Sequence, residues 1–154
     1  MKIAELLNPA AIADDLKAEN KDDALAELAD ALMRVEKGLD RDEVIRVLQE
    51  REHLGSTGIG HGLAIPHGKL NDIDRMLLCF GRSRGGIDFD SMDGEPAHLF
   101  FLLLAPVDAA GEHLKTLARI SKLLKDAGVR QRLLDAAGSE ALFRIIREEE
   151  GKLP

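Results

Sequence analysis

The sequence predicts an α/β domain in which a central, mixed β-sheet is flanked by helices on both faces. The chain has 154 residues, of which 45% are hydrophobic and 32% charged, as expected of one folded domain spanning 1–154. The run Leu99–Ala105 is uniformly apolar, which is typical of a strand buried on both faces. Segments with helical spacing lie before and after this run, and this arrangement favours helices that cover both faces of a sheet.

Two helices are predicted before the first strands. In Asp22–Val35 the apolar residues follow the three–four spacing of a helix, with acids in the first turn, and Gly38 ends the helix. Asp40 is a candidate N-cap for a second helix that continues to about Leu54.

The middle of the chain predicts the sheet. A short strand is expected at Leu63–Pro66 and a second at Met76–Gly81. The pair Gly85–Gly86 predicts a turn, and Ile87–Phe89 predicts a short edge strand. The buried strand at Leu99–Ala105 then completes the predicted sheet.

The last third of the chain is predicted to be helical. From Ala110 to Leu124 the apolar residues, Leu114 among them, follow the three–four rule. Two more helices are predicted at Asp126–Ala137 and Ser139–Glu149, with Ser139 as the cap of the last one.

Composition argues against several classes of function. The net charge of −7 and the presence of only five aromatic residues, all Phe, do not suit a nucleic-acid-binding surface. The longest apolar run is far shorter than the ~20 residues of a membrane span, and the N-terminus lacks the layout of a signal peptide. The single cysteine, Cys79, excludes an internal disulfide. We therefore expect a cytoplasmic protein that neither inserts into a membrane nor binds nucleic acid.

The segment REHLGSTGIGHGLAIPHGK, residues 51–69, carries the main functional signal. Pro66 fixes its own φ and holds Ile65 extended, so we expect the strand to stop there. His67 then leaves the sheet at the carboxyl end of a strand, where α/β proteins build their sites. A neutral imidazole can act as a nucleophile or base near pH 7. The alternative is a histidine that only caps the strand end through a backbone hydrogen bond.

The loop before His67 is rich in glycine and hydroxyl groups. Backbone N–H groups made accessible by glycine, together with Ser56 and Thr57, predict a concavity that binds anions. The spacing matches neither the dinucleotide fingerprint nor the P-loop. The glycines alone are equally consistent with a tight structural turn.

Two further residues favour phosphoryl chemistry at His67. Arg51 lies at the end of the second predicted helix, and a guanidinium binds phosphoryl oxygens with two parallel hydrogen bonds. His113 begins the helix after the buried strand and is expected near the same edge, although an exposed helix-start histidine is the alternative. Imidazole, arginine and oriented N–H donors are the groups that phosphoryl transfer requires.

At these residues the sequence resembles a known family. The segment LGSTGIGHGLAIPHGK, the strand HLFFLLLAP and the helix GEHLKTLARISKLLKD are similar to the IIA domains of the sugar phosphotransferase system, of the fructose/mannitol type. Within that type the similarity is greatest to the nitrogen-regulatory IIA proteins. The resemblance covers roughly residues 4–149. It implies a mixed sheet between layers of helices.

The resemblance also implies roles for the site residues. His67 corresponds to the phosphorylated histidine, with the tele nitrogen implied as the acceptor, whereas the residues alone do not distinguish the two nitrogens. Arg51 and His113 correspond to the family's phosphoryl-binding arginine and second histidine, and we assign Ser56 and Thr57 to the same role. The donor would be HPr or an HPr-like phosphocarrier. The resemblance implies no metal and no organic cofactor.

The subtype has two readings. A chain that ends at Pro154 without a IIB-like cysteine motif suits the regulatory branch, in which phosphorylation controls the binding of target proteins. The alternative is a stand-alone IIA component of fructose- or mannitol-type uptake that passes phosphate to a IIB partner.

Three readings outside phosphoryl transfer compete with this one. A metal-dependent hydrolase could use the numerous histidines, namely His53, His61, His67 and His113. A degenerate IIA domain could bind partners without being phosphorylated. Ser56 or Thr57 as a hydrolase nucleophile is weaker, because neither lies in a GxSxG motif. His61, Lys69 and Arg75 are interpreted as exposed residues rather than parts of the site.

Overall fold

A computed structural model describes residues 2–154, which form six helices and six strands around one sheet. The helices are α1 (Ile3–Leu6), α2 (Lys21–Met33), α3 (Arg41–His53), α4 (Ala110–Leu124), α5 (Ala127–Asp135) and α6 (Ser139–Glu150). The strands are β1 (Leu7–Ala13), β2 (Gly58–Gly60), β3 (Leu63–Ala64), β4 (His67–Leu70), β5 (Leu77–Ile87) and β6 (Ala97–Pro106).

The sheet is mixed, as predicted. Its strand order is β1-β5-β6-β3-β2, and β4 also pairs with β6 beyond the end of β3. β6 runs antiparallel to β5 and parallel to both β3 and β4, while β1 is parallel to β5. The strand predicted from the apolar run is therefore the central strand of the sheet.

Helices cover both faces of the sheet, which confirms the predicted class. On one face α4, α5 and α6 pack against alternate residues of β6, including Phe101 and Leu103. On the other face α2 and α3 pack against the intervening residues, including Phe100 and Leu102. Side chains alternate between the two faces of a strand, so a strand buried on both faces must be apolar at every position.

The N-terminal elements are absent from the sequence prediction. β1 includes Asn8 and Pro9 and pairs irregularly with β5, with a break in register between Leu7 and Ile12. It lies at the edge of the sheet, where a proline is tolerated because no second neighbour needs its N–H.

The strand β3 ends before Pro66, as predicted, but the prediction that His67 leaves the sheet is wrong. The carbonyl of Pro66 still accepts a hydrogen bond from the N–H of Leu103 at 2.9 Å, so pairing with β6 continues. His67 is the first residue of β4 and lies opposite Leu103. The imidazole is therefore held by a sheet strand, which is a firmer support than a loop.

Two smaller predictions also fail. The chain does not turn at Gly85–Gly86, because β5 continues to Ile87 with an irregular register after Arg82. Ser139 does not cap α6, since Gly138 occupies the N-cap position without a side-chain bond. Asp40 does cap α3, because its carboxylate accepts the N–H groups of Asp42 and Glu43.

No helix within residues 2–154 is long and apolar enough to cross a membrane.

Candidate functional site

A pocket of about 620 Å³ lies where α3, β4 and α4 meet. α3 contributes Arg51, β4 contributes His67, and the first turns of α4 contribute His113. The structure therefore brings together three side chains that are separated by up to 62 positions in the sequence.

A glycine sets the spacing between α3 and β4. A Cβ on Gly68 would lie 2.6 Å from Cγ1 of Val47, which is closer than two carbon atoms can pack. Residues four apart share one face of a helix, so the contact that seats Val47 also places Arg51 against β4. Gly68 thus lets the helix that carries the arginine approach the strand that carries the histidine.

The ring of His67 is oriented by its own backbone. Nδ1 lies 2.7 Å from the carbonyl oxygen of Ile65. A carbonyl only accepts hydrogen bonds, so Nδ1 carries the proton and Nε2 carries the lone pair. Within residues 2–154 no group hydrogen-bonds to Nε2. Partial burial lowers the pKa of His67 below 6.5, with the bond to Ile65 opposing the shift and nearby Arg51 adding to it. The ring is therefore neutral at pH 7 and available to act as a nucleophile.

His113 lies edge-on to His67. The ring centroids are 5.3 Å apart and the ring planes are inclined by 79°. His113 is only 6% exposed. Burial, with smaller contributions from His67 and Lys69, lowers the pKa of His113 to about 4. Its buried Nε2 has no hydrogen-bond partner within the described chain, so this ring holds unused hydrogen-bonding capacity beside His67.

Arg51 is anchored at the mouth of the pocket. Its Nη1 donates to the carbonyl of Gly55 at 2.9 Å, which ties the end of α3 to the loop that follows. A guanidinium has five N–H donors, and one bond to a carbonyl leaves most of them free. Arg51 can therefore hold an anion beside His67 without giving up its anchor.

Ser56 and Thr57 do not line the pocket, although the sequence places them in the phosphoryl-binding loop. The Ser56 hydroxyl donates to the carbonyl of Phe89 at 2.6 Å and accepts the N–H of Gly58. The Thr57 side chain is buried and donates to the carboxylate of Glu52. Both hydroxyls are used to hold the loop in place.

Two residues near the site are not assigned to it from the sequence: Glu52, and Lys69, which is interpreted from the sequence as exposed. Glu52 is buried and accepts the N–H and the hydroxyl of Thr57, and it pairs with Lys21 at 3.1 Å. Lys69 lies two positions after His67 on β4 and also lines the pocket. Arg75, by contrast, pairs with Glu36, as a structural residue does. In the sequence Glu52 is distinguished only as the acidic residue next to Arg51. Its partners, Thr57 and Lys21, become evident only in the fold.

Removing the Glu52 carboxylate should destabilise the protein. In Glu52→Ala the buried N–H and hydroxyl of Thr57 lose their acceptor and Lys21 retains only Asp90 as a partner. We expect a loss of about 2–3 kcal/mol in the free energy of unfolding, measured by urea denaturation. Glu43→Ala is the matched control, because Glu43 lies on the same helix in an exposed pair with Arg46. Equal midpoints for the two variants would show that the buried carboxylate does not hold the loop.

The lowered pKa of His113 should make stability depend on pH. The folded protein disfavours the charged ring, so between pH 6.5 and about 4 the unfolded chain binds a proton that the folded chain does not. The contribution of His113 is therefore complete above pH 6.5 and decreases as the pH falls towards 4. Urea unfolding at pH 7 and pH 5 should show a smaller decrease for His113→Gln than for the wild type. Identical pH dependence in the two proteins would contradict the assignment.

An exposed apolar rim surrounds the pocket. Leu54 at the end of α3 is 85% exposed and Leu114 in the first turns of α4 is 68% exposed, and both line the pocket. Leu114 belongs to the apolar pattern that predicts α4, but its side chain faces solvent. Exposed leucines beside a polar site are typical of a surface that contacts another protein.

The other histidines do not join the site. Within residues 2–154 no group of three or more His, Cys, Asp or Glu side chains is arranged to hold a metal ion. His53 is exposed at the end of α3, and His61 lies in the loop between β2 and β3. The geometry favours a pair of histidines over the four-histidine cluster that a metal-dependent hydrolase would use.

Comparison with known proteins identifies the family and the relatives of this chain. Residues 5–149 match the family described as "Phosphoenolpyruvate-dependent sugar phosphotransferase system, EIIA 2". The chain is 42% identical to the nitrogen regulatory protein of Bradyrhizobium diazoefficiens over 146 residues, which is 95% of each chain. It is 37% identical to the fructose-specific EIIABC component of Bacillus subtilis, covering 97% of this chain but only 24% of that longer protein.

A solved structure agrees with the sequence matches. The crystal structure of the nitrogen regulatory protein IIA-Ntr from Neisseria meningitidis superposes with a TM-score of 0.87 at 35% identity, covering 94% of this chain and 98% of that one. The fold, the family match over residues 5–149 and these relatives lead to one conclusion: the chain belongs to the EIIA 2 family of the phosphoenolpyruvate-dependent sugar phosphotransferase system.

Proposed function

We propose that this chain is a phosphoryl carrier that accepts phosphate on Nε2 of His67 from the phosphohistidine of HPr or an HPr-like protein. One observation carries the proposal: the bond from Nδ1 to Ile65 leaves Nε2 as the only nucleophilic nitrogen of a neutral ring, in a pocket shared with Arg51 and His113. Transfer at Nε2 produces the tele isomer of phosphohistidine.

The transfer needs no acid or base. The lone pair of Nε2 attacks phosphorus as the phosphorus–nitrogen bond of the donor breaks, and the donor ring keeps that electron pair. His67 gains positive charge while its Nδ1–H continues to donate to Ile65, so the backbone carbonyl stabilises the charge that develops. Because the transition state is loose, catalysis consists of positioning and of stabilising the phosphoryl oxygens, the role we assign to Arg51 and His113.

The apolar rim supports a protein as the donor. Leu54 and Leu114 present apolar surface to a partner on opposite sides of the pocket. A small phosphorylated metabolite would bury little of this surface, whereas a protein would cover it. The partner's phosphohistidine would enter between them. The arrangement suits a phosphocarrier that presents one histidine on a largely apolar surface.

For the subtype we propose the regulatory branch, in which phosphorylation state controls the binding of target proteins in the cytoplasm. The relatives in B. diazoefficiens and N. meningitidis that match along nearly their whole length support it, since both are named as nitrogen regulatory proteins. The second candidate is transfer to a IIB partner in sugar uptake, which the fructose-specific EIIABC relative supports. We propose that residues 1–154 act as a single domain in either case.

Radiolabelled phosphoenolpyruvate, purified enzyme I and HPr test the proposal. We expect the wild-type chain to take up one phosphoryl group that is labile in acid and stable in alkali, and NMR of the ¹⁵N-labelled protein should place it on Nε2. Absence of label, or label on Nδ1, would refute the proposal. A purified fructose-type IIB domain is then added. Rapid transfer to it would favour the sugar-uptake candidate over the regulatory one.

A further inference from the structure

A second groove lies at the far end of α4 from the phosphorylation pocket. It encloses about 720 Å³ between the last turns of α4, the start of α5 and the β2–β3 hairpin. We call it the basic groove; its principal lining residues are Ile59, His61, Leu63, Lys122, Lys125 and Arg130.

The basic groove contrasts with the acidic character of the chain. The chain has 28 acidic and 21 basic residues, yet no carboxylate of residues 2–154 lines this groove. Within residues 2–154 no carboxylate oxygen lies within 4.0 Å of a side-chain nitrogen of Lys122, Lys125 or Arg130. The neighbouring Asp126 is turned towards α5, where it caps the helix by accepting the N–H groups of Gly128 and Val129. These three cations therefore form no ion pair within the described chain.

His61 has an unfavourable backbone conformation at the edge of this groove. Its φ of 57° lies in the left-handed region, which a non-glycine residue rarely adopts. The carboxylate of Asp93 holds it there by accepting its N–H at 3.0 Å. Glycine would adopt this backbone conformation with less strain, yet the chain has a histidine here. Its imidazole lines the same groove as Arg130. An outlier of this kind is more often found at functional surfaces than elsewhere.

The basic groove continues the surface of the phosphorylation pocket. Leu114 and Leu117 of α4 line the pocket, and Ser121 and Lys125 line the groove. These four residues are spaced by three or four positions, so they form one stripe along the helix. From His113 to Lys125 the stripe is about 18 Å long at 1.5 Å per residue. One bound partner can span both.

The chemistry of the groove favours a peptide over a small anion. The Nη1 of Arg130 donates to the carbonyls of Leu124 and Lys125, so this guanidinium is held in a fixed place at one side of the groove. The cations are spread along the groove beside Ile59, which is 40% exposed. Several separated carboxylates interleaved with apolar side chains complement this pattern better than one compact anion does.

We propose that the basic groove binds an acidic, leucine-containing segment of a target protein. Its role as a regulatory docking site rests on the proposed function of the phosphorylation pocket. Lys122 and Lys125 pair with carboxylates of the segment, and the exposed Ile59 receives its apolar side chains. The segment can extend along the α4 stripe towards His67.

The test uses a ¹⁵N-labelled full chain and an acetylated, amidated peptide of about 12 residues composed of leucine and glutamate, which as a helix matches the stripe in length. We expect NMR shift changes confined to residues 59–63 and 114–130, and binding that weakens as salt is raised. Lys122→Glu with Lys125→Glu should weaken binding at least tenfold. Lys2→Glu with Lys37→Glu makes the same charge change at lysines outside the groove and should bind within about twofold of the wild type.

Three results would overturn the proposal. Shift changes confined to Arg51 and His67 would place the peptide in the phosphorylation pocket instead. Equal binding of a peptide with serine in place of leucine would show that charge alone acts. Inorganic pyrophosphate binding at least as tightly as the peptide would make this a small-anion site.

The same proteins separate this inference from the proposed function. The variant that combines Lys122→Glu with Lys125→Glu should be phosphorylated by phospho-HPr at close to the wild-type rate. Loss of peptide binding in a wild-type chain that still takes up phosphate would refute only the docking site. Peptide binding by a wild-type chain that takes up no phosphate would refute only the phosphoryl-carrier function.

Discussion

His67→Ala should take up no phosphoryl group from phospho-HPr. Among residues 2–154, His67 provides the only ring in the pocket that is both neutral and accessible through a free Nε2, so the substitution leaves no nucleophile for the transfer. The measurement is the incorporation of label from phosphoenolpyruvate over time, with His53→Ala as the control. His53 is exposed at the end of α3 and does not line the pocket, so its variant should be labelled like the wild type.

The proximity of His113 to His67 makes this prediction a stringent test of which histidine is phosphorylated. If phosphate could move to any imidazole in the pocket, His113 would rescue His67→Ala, because the ring centroids are only 5.3 Å apart. Its Nε2 is buried, so an incoming donor cannot reach it in line. His113→Ala should therefore still take up phosphate, but more slowly, whereas label in His67→Ala would disprove the assignment. Circular dichroism and urea unfolding serve to check that both variants are folded.

Much of the fold could be predicted because its elements carry strong patterns. The helices α2 to α6 have apolar residues at the three–four spacing of a helix, and the short, uniformly apolar run of β6 is typical of a strand buried on both faces. The strands β1 and β4 could not be predicted, because each is held by pairing with distant residues and each contains or follows a proline. Pro9 is tolerated at the sheet edge, and Pro66 keeps its carbonyl bond to Leu103. Local propensity does not reveal such tertiary pairing.

The residues of the site also include some that could be predicted from the sequence and some that could not. His67, Arg51 and His113 could be placed together because the order of strands and helices fixes where their backbones lie. Ser56 and Thr57 are in a loop, where the direction of a short side chain depends on partners that the sequence does not identify. Thr57 turns to Glu52 and Ser56 to Phe89, so both are directed away from the pocket. The sequence locates the loop but does not indicate which of its groups face the ligand.

Arg51→Ala should slow phosphoryl uptake by about 10²–10³-fold, as expected when one donor to the transition-state charge is lost. In the transition state the charge of the phosphoryl group is spread over its three equatorial oxygens, which the donors of Arg51 are placed to bind. The maximal rate should therefore fall more than the HPr concentration at half-maximal rate rises. Arg46→Ala is the matched control, because Arg46 lies on the same helix but pairs with Glu43 and Glu50 at the surface.

Arg51→Lys separates charge from geometry. Lysine keeps the positive charge but has neither the planar fork nor the means to hold both Gly55 and a phosphoryl group. We expect its rate to lie between those of the alanine variant and the wild type, in rapid-quench measurements of label transfer. A rate equal to the wild type would mean that charge alone suffices. A rate equal to that of Arg51→Ala would mean that the guanidinium acts through its fixed donors, which the anchor to Gly55 and the close approach of α3 at Gly68 hold in position.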